Sequence, residues 1–247
     1  MDLLVGTVTL RPYVFAFLTL FLLAGAADLG WRRTLGFAGC VWPVAWLSEF
    51  SSTRIGVPFG LYHYTAATRG RELYIADVPL MDALSFTFLA YASFCLARAA
   101  LSIRPAPRSV TAVVTGVLMM ALDVVIDPLA VRGDRWFLGQ VFTYAEPGIY
   151  FGVPFSNFAG WVIVGIVGVG LYLALASGAS GRRAWPGVAL YYVVFGFNLA
   201  MTMWIGEWLL AGVGAAMHVA VALTIVYIHR NSGVMMLDPE TQRIQRA

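Results

Sequence analysis

Apolar residues along this chain come in blocks of about the length that crosses a bilayer, roughly 20 residues, separated by short polar or Gly/Pro-rich breaks. The pattern predicts seven helices, at about 12–28, 35–50, 77–98, 109–130, 157–177, 186–207 and 209–229. Pro43 falls inside the second, where it predicts a kink, and Pro186 sits at the favoured entry position of the sixth. The last two blocks are separated only by the Gly206–Gly212 region and predict an antiparallel pair. Two longer connections remain, 51–76 and 131–156, rich in Gly, Pro, Tyr and Trp. They are too apolar for solvated linkers, and irregular backbone at membrane depth is tolerated only where protein or a cavity surrounds it. The expectation is two capping loops folded back onto helix ends. The fold class is therefore an all-α, polytopic membrane bundle of about seven helices: one membrane domain over 1–230 with a polar tail at 231–247.

A second pattern is superimposed on the first. Val78-Pro79-Leu80-Met81-Asp82 leads to Phe86, and Val153-Pro154-Phe155-Ser156-Asn157 leads to Trp161 at the same spacing. Each follows an acidic residue in an apolar run, Glu49 before the first and Asp123 before the second, at nearly equal intervals. This predicts a parallel internal repeat over 35–98 and 109–177, and such repeats build sites at their shared interface.

Composition agrees with the membrane reading: 60% of residues are hydrophobic, 12% are charged, and mean hydropathy is +0.78, against about 25% charged in soluble domains. The net charge of +3 comes from arginine alone, since lysine is absent. These arginines read as membrane-surface anchors and give no basis for nucleic-acid binding. With the N-terminus outside, ten arginines lie inside and six (Arg11, Arg54, Arg69, Arg71, Arg132, Arg135) outside. Both capping loops are then external and the protein sits in the cell membrane among its lipids. Ala24-Gly25-Ala26 resembles a signal-peptidase site, but the segment reads as a retained first helix. Oligomeric state is not legible.

Ionisable and amide groups inside membrane segments are costly and mark functional sites by default. Glu49 ends the second helix as a candidate proton donor in a low-dielectric pocket; the plainer alternative is a solvated carboxylate paired with Arg54. Asp123 and Asp127 are one turn apart and share a face. Two carboxylates so close in an apolar setting share protons, and the alternative there is a cap with an ion pair to Arg132. Asp82 and Asn157 occupy matching places in the third and fifth helices, as site residues or as caps. Tyr62, Tyr64, Tyr74, Trp136, Tyr144, Tyr150 and Trp161 crowd the same end, either as an interfacial belt or as ring faces for a cation. His63 lies between two of the tyrosines. Glu146 and Glu207 share that side, while His218 and His229 fall in the last helix. Cys40 and Cys95 lack metal-ligand spacing and read as small hydrophobes. No P-loop, GxGxxG, HExxH or Asp-rich diphosphate motif occurs, which leaves acid–base chemistry on an apolar substrate, without cofactor or metal.

Glu49, then Gly56-Val57-Pro58-Phe59-Gly60-x-Tyr62-x-Tyr64-Thr65, Val78-Pro79-Leu80, Asp123-x-x-x-Asp127-Pro128, Trp136, and Tyr150-x-Gly152-Val153-Pro154-x-x-Asn157-Phe158-x-Gly160-Trp161 together resemble the carotenoid hydratase family, which includes bisanhydrobacterioruberin hydratases and carotenoid 1,2-hydratases. The resemblance covers about 40–165, and departs at Ser85-Phe86, where a tryptophan is expected. It implies water addition across a terminal isopropylidene double bond of a carotenoid held within the bilayer, with no cofactor. Asp127 or Asp123 would be the acid, Glu49 and Asp82 would position or deprotonate water, and Asn157 would orient them. Tyr62, His63, Tyr64, Trp136, Tyr150 and Trp161 would bind substrate. The rivals are a carotenoid cyclase that begins with the same protonation, a proton-coupled transporter, and a structural or assembly protein.

Overall fold

The computed structural model describes residues 2–65, 67–102, 106–135, 139–176 and 181–235. Its helices are α1 (Leu3–Leu10), α2 (Pro12–Asp28), α3 (Trp31–Ile55), α4 (Leu80–Ala100), α5 (Arg108–Ala130), α6 (Phe155–Leu175), α7 (Trp185–Trp204) and α8 (Trp208–Met235). Four short strands complete it: β1 (Tyr62–Tyr64), β2 (Tyr74–Ile75), β3 (Val78–Pro79) and β4 (Phe142–Tyr144). The chain is an all-α membrane bundle. Five of the described helices (α4 to α8) are long and apolar enough to cross a membrane, or six if α1 and α2, which meet at 85°, count as one broken span. The expected seven therefore reduces to five or six by this measure, and α1 is an element that the apolar pattern does not separate. The predicted C-terminal tail lies mostly outside the described residues, although α8 carries its first part.

Burial ranks the helices. In the apolar stretch of α4, 78% of residues are buried within the protein, against 22% in α8. α4 is thus the central post, packed by α2, α3, α5 and α7, while α8 shows most of its surface to lipid. In a bilayer apolar surface gains little by leaving lipid, so small residues that allow close backbone approach drive packing. The α5–α6 interface, the most extensive in the bundle, works this way. A Cβ on Gly116 would lie 2.5 Å from the Val162 carbonyl oxygen, and one on Gly165 would lie 2.6 Å from Gly116 Cα. Gly165→Val is expected to force the helices apart and cost about 1–3 kcal/mol, read as a lowered Tm in detergent. Gly170→Ala is the control, since its added Cβ meets only Ala112 Cβ at 4.0 Å.

The end away from the capping loops is tied by Asp28. Its carboxylate accepts from Arg98 (Nη1 2.5 Å) on α4 and from the Arg183 backbone N–H (2.8 Å) before α7. Against it packs an aromatic cluster of Phe21, Phe37, Tyr91, Phe94 and Tyr172.

The other end is closed by the two loops. α3 runs through Pro43 and stops where Gly56 takes the left-handed conformation (φ 75°), which only glycine adopts freely. The Phe59 N–H donates to Ser52 Oγ at 3.0 Å, which turns the chain back over the bundle. β1 then pairs antiparallel with β4, Tyr62 opposite Tyr144 and Tyr64 opposite Phe142, so the loops cap the bundle as one piece. β2 and β3 form a hairpin whose turn residues Ala76 and Asp77 both have positive φ, the geometry of a two-residue hairpin turn. The second loop is anchored by Arg132, whose Nη1 donates to the Phe151 carbonyl at 2.7 Å. Glu207 binds both Arg132 and Arg135 and joins this loop to the α7–α8 turn. Hydrogen bonds from Arg132 hold the Glu207 carboxyl below its ordinary range.

Candidate active site

Under the capping loops lies a partly open cavity with an empty volume of about 970 Å³, its open mouth included. Five helices bring a carboxyl or amide side chain to its wall: Glu49 from α3, Asp82 from α4, Asp127 from α5, Asn157 from α6 and Asn198 from α7. Asp82 and Asn157 are each the third residue of their helix, after Pro79 and Pro154 at the caps. The remainder is mostly aromatic, with Phe59, Tyr62 and Tyr64 from the first loop, Phe142 and Tyr144 from the second, and Phe86 and Trp161 from the helices.

Three polar arrangements meet at this space. In the first, Asn157 Nδ2 donates to Asp123 Oδ2 at 2.7 Å and to Asp127 Oδ2 at 2.8 Å. Trp161 Nε1 donates to the same Asp127 oxygen at 3.1 Å, and the Asp127 N–H reaches Asp123 Oδ1 at 3.2 Å. Asp123 is fully buried and does not reach the cavity, whereas Asp127 lines it. Trp161 also stacks on Phe86, centroids 4.6 Å apart, so two aromatic rings stand at this cluster. Phe59 seats over Gly160, where any side chain would strike its ring.

In the second cluster Glu49, only 4% exposed, meets the Tyr64 hydroxyl, and Tyr64 in turn bonds Tyr62. Glu49 Oε2 takes no hydrogen bond from the protein. Burial pushes both phenols well above their ordinary range, with the Glu49 carboxyl adding to the effect. The shift favours the neutral, hydrogen-bond-donating phenols. The Tyr144 phenol is raised for the same first reason, burial. Asp82 belongs to a third arrangement. Its Oδ1 is paired with Arg11 Nη1, and Arg11 also grips Glu72, Nε to Oε2 at 2.8 Å and Nη2 to Oε1 at 2.9 Å. Among the described residues no group of three or more His, Cys, Asp or Glu side chains is arranged to hold a metal ion.

Residues 3–223 match the model of a family described as carotenoid biosynthesis protein. The chain belongs to that family. Among its relatives is the bisanhydrobacterioruberin hydratase of Haloarcula japonica, 30% identical over an alignment of 177 residues that covers 68% of this chain and 57% of the relative. The aligned part thus spans less than two thirds of that hydratase. No solved structure matches.

Within this carotenoid biosynthesis protein, Glu49, Tyr62, Tyr64, Asp82, Asp127, Asn157 and Trp161 share one cavity, and three of the expected residues lie off its wall. His63 is exposed and off the cavity: alternate residues of β1 face opposite ways, so Tyr62 and Tyr64 turn in and His63 turns out. Tyr150 packs on Phe151 and Phe158 and donates to the Val124 carbonyl at 3.2 Å, fixing the second loop to α5 outside the cavity lining. Asp123 stands behind Asp127. Trp136 lies outside the described residues. The plainer pairings fail too, since Arg54 stacks on Phe50 and reaches Asp77, and Arg132 binds Glu207. Sequence reasoning missed Arg11 and Glu72 as site residues. Their signal was weak: an arginine beside Pro12 and a glutamate in the polar run Arg69-Gly70-Arg71-Glu72 both resemble surface charges. Asn198 of α7, a polar residue in an apolar segment, also lines the cavity and carries the same signal as Asn157.

Proposed function

We propose that this protein is a carotenoid hydratase of the cell membrane. It adds water across the terminal isopropylidene double bond of an acyclic carotenoid end. The observation that carries the reading is the convergence of Glu49, Asp82, Asp127 and Asn157 from four helices on an aromatic-walled cavity, in a chain of a carotenoid biosynthesis family. A related hydratase supports it.

The neighbouring Asp123 and Asp127 carboxyls, bridged by Asn157, share protons, since two adjacent buried carboxylates do not both ionise. Asp127, the member at the wall, gives its proton to the less substituted alkene carbon. The π electrons form the new C–H bond and leave a tertiary cation on the neighbouring carbon. The ring faces of Trp161 and Phe86 stabilise that cation. Water held at Glu49 and Tyr64 donates its lone pair to form the C–O bond, and its proton passes to the Glu49 carboxylate. Returning that proton to Asp127 resets the site. The sum is alkene plus water to tertiary alcohol, with no redox change and no cofactor. The aromatic cavity holds only the carotenoid end, and its open side leaves the polyene in the bilayer.

Expression in a bacterial host that accumulates acyclic carotenoids tests this. The expected pigment is more polar and heavier by one water. A pigment of unchanged mass with an altered spectrum would instead make the protein a cyclase. Unchanged pigments across several carotenoid backgrounds would remove the enzyme reading and favour a transporter.

A further inference from the structure

Arg11 stands at the 85° elbow between α1 and α2, with its side chain 3% exposed. A buried guanidinium needs compensation, and two acidic groups supply it. Glu72, fully buried, takes Nε and Nη2 in a two-pronged pair. Nη1 is left for Asp82, whose side chain is 20% exposed at the cavity that it lines. One cation therefore serves a sequestered carboxylate and one at the site.

The other charged groups near Asp82 do not stabilise a negative charge there. Glu49 from α3, Asp127 from α5 and Glu72 from the first loop are acidic, and Tyr13 is the phenol beside Arg11. Asn198 on α7 is neutral. Arg11 is the one cationic side chain at the cavity wall among the described residues.

We infer that Arg11 is a positioning residue that holds Asp82 as a fixed anion at the cavity wall. This rests on the hydratase reading and deepens it. Proton donation falls to Asp127, water activation to Glu49, and Asp82 supplies standing negative charge opposite the tertiary cation. Preorganised charge of this kind, aimed where charge develops, stabilises a transition state without reorganising. The Arg11–Glu72 pair also fixes the first loop to the elbow, helped by the Leu73 N–H donating to Thr7 Oγ1 at 2.9 Å.

The decisive variant is Arg11→Gln/Glu72→Gln. It removes Arg11 and Glu72 together, so that Glu72 is not left as a lone buried charge. Infrared difference spectra of the full-length protein in lipid nanodiscs, taken against Asp82→Asn, read the state of Asp82 directly. The expected result is an ionised carboxylate band for Asp82 in the parent and a protonated C=O band in the double variant. Hydration by the double variant is expected to fall about tenfold or more near pH 7. It should recover as the pH is raised and Asp82 ionises unaided. The triple variant adding Asp82→Asn should stay low and pH-independent. A protonated Asp82 band in the parent, an ionised band in the double variant, or a pH-flat loss of activity overturns the inference. If the parent hydrates no carotenoid, the hydratase reading fails by itself, and the infrared result still decides whether Arg11 sets the charge of Asp82.

Discussion

Asp127→Asn is expected to lower hydration by about 10²–10⁴-fold, the usual contribution of a positioned acid, while the bundle stays folded. Asparagine has the same shape, and its carbonyl can still accept from Trp161 Nε1 and Asn157 Nδ2, which now meet Asp127 at 3.1 and 2.8 Å. What it lacks is a transferable proton. Asp123→Asn provides the comparison. Asp123 lies behind the wall, so its loss disturbs the orientation of Asn157 and the shared proton without removing the group that meets the alkene. A drop of about tenfold is expected there. Pigment analysis of cells expressing each variant at matched protein levels, with Tm in detergent as the check on folding, reads both effects. Equal losses, or a larger loss at Asp123, would move the acid to Asp123 and require the cavity to open toward it.

The helices were legible because a bilayer imposes a length and a hydropathy on each span. The block at 12–28 coincides with α2 (Pro12–Asp28), and 109–130 nearly coincides with α5 (Arg108–Ala130). α3 was read too short, at 35–50 instead of Trp31–Ile55. Its ends, Trp-Arg-Arg-Thr and Ser-Ser-Thr-Arg, look like loop by hydropathy and yet continue the helix to the glycine cap at Gly56. α1 escaped because eight residues fall below any spanning length. The wall residues stood out for a related reason: a carboxylate or amide in an apolar segment violates the expected pattern. Arg11, Glu72 and the inward side of β1 depend on partners 61, 71 and 82 residues away, Arg11 with Glu72, Arg11 with Asp82 and Tyr62 with Tyr144. Such pairings follow from how the loops fold over the bundle, and neither hydropathy nor local spacing encodes them. In the same way, no periodicity distinguishes His63 from Tyr62 and Tyr64 until β1 is seen to pair with β4.

Separating Glu49 from Asp127 by chemistry gives the sharpest test of the proposed division of labour. Glu49→Gln should abolish hydrate formation, by about 10²-fold or more, yet leave the protonation step working. The glutamine keeps a carbonyl for the Tyr64 hydroxyl, and the acid cluster of Asp123, Asp127, Asn157 and Trp161 shares no hydrogen bond with Glu49. The cation then forms without an activated water and can only lose a proton again. In deuterium oxide the deuteron delivered to the less substituted alkene carbon leaves that carbon with one hydrogen and one deuterium. Loss of the hydrogen regenerates the starting alkene labelled at its vinylic position. Glu49→Gln should therefore return substrate carrying deuterium and make no alcohol, whereas Asp127→Asn should show neither exchange nor alcohol. Mass spectrometry of recovered carotenoid distinguishes these outcomes. If Glu49→Gln exchanges no deuterium, protonation itself depends on Glu49, and the acid must be placed on α3 beside Tyr64 instead of on α5 beside Trp161.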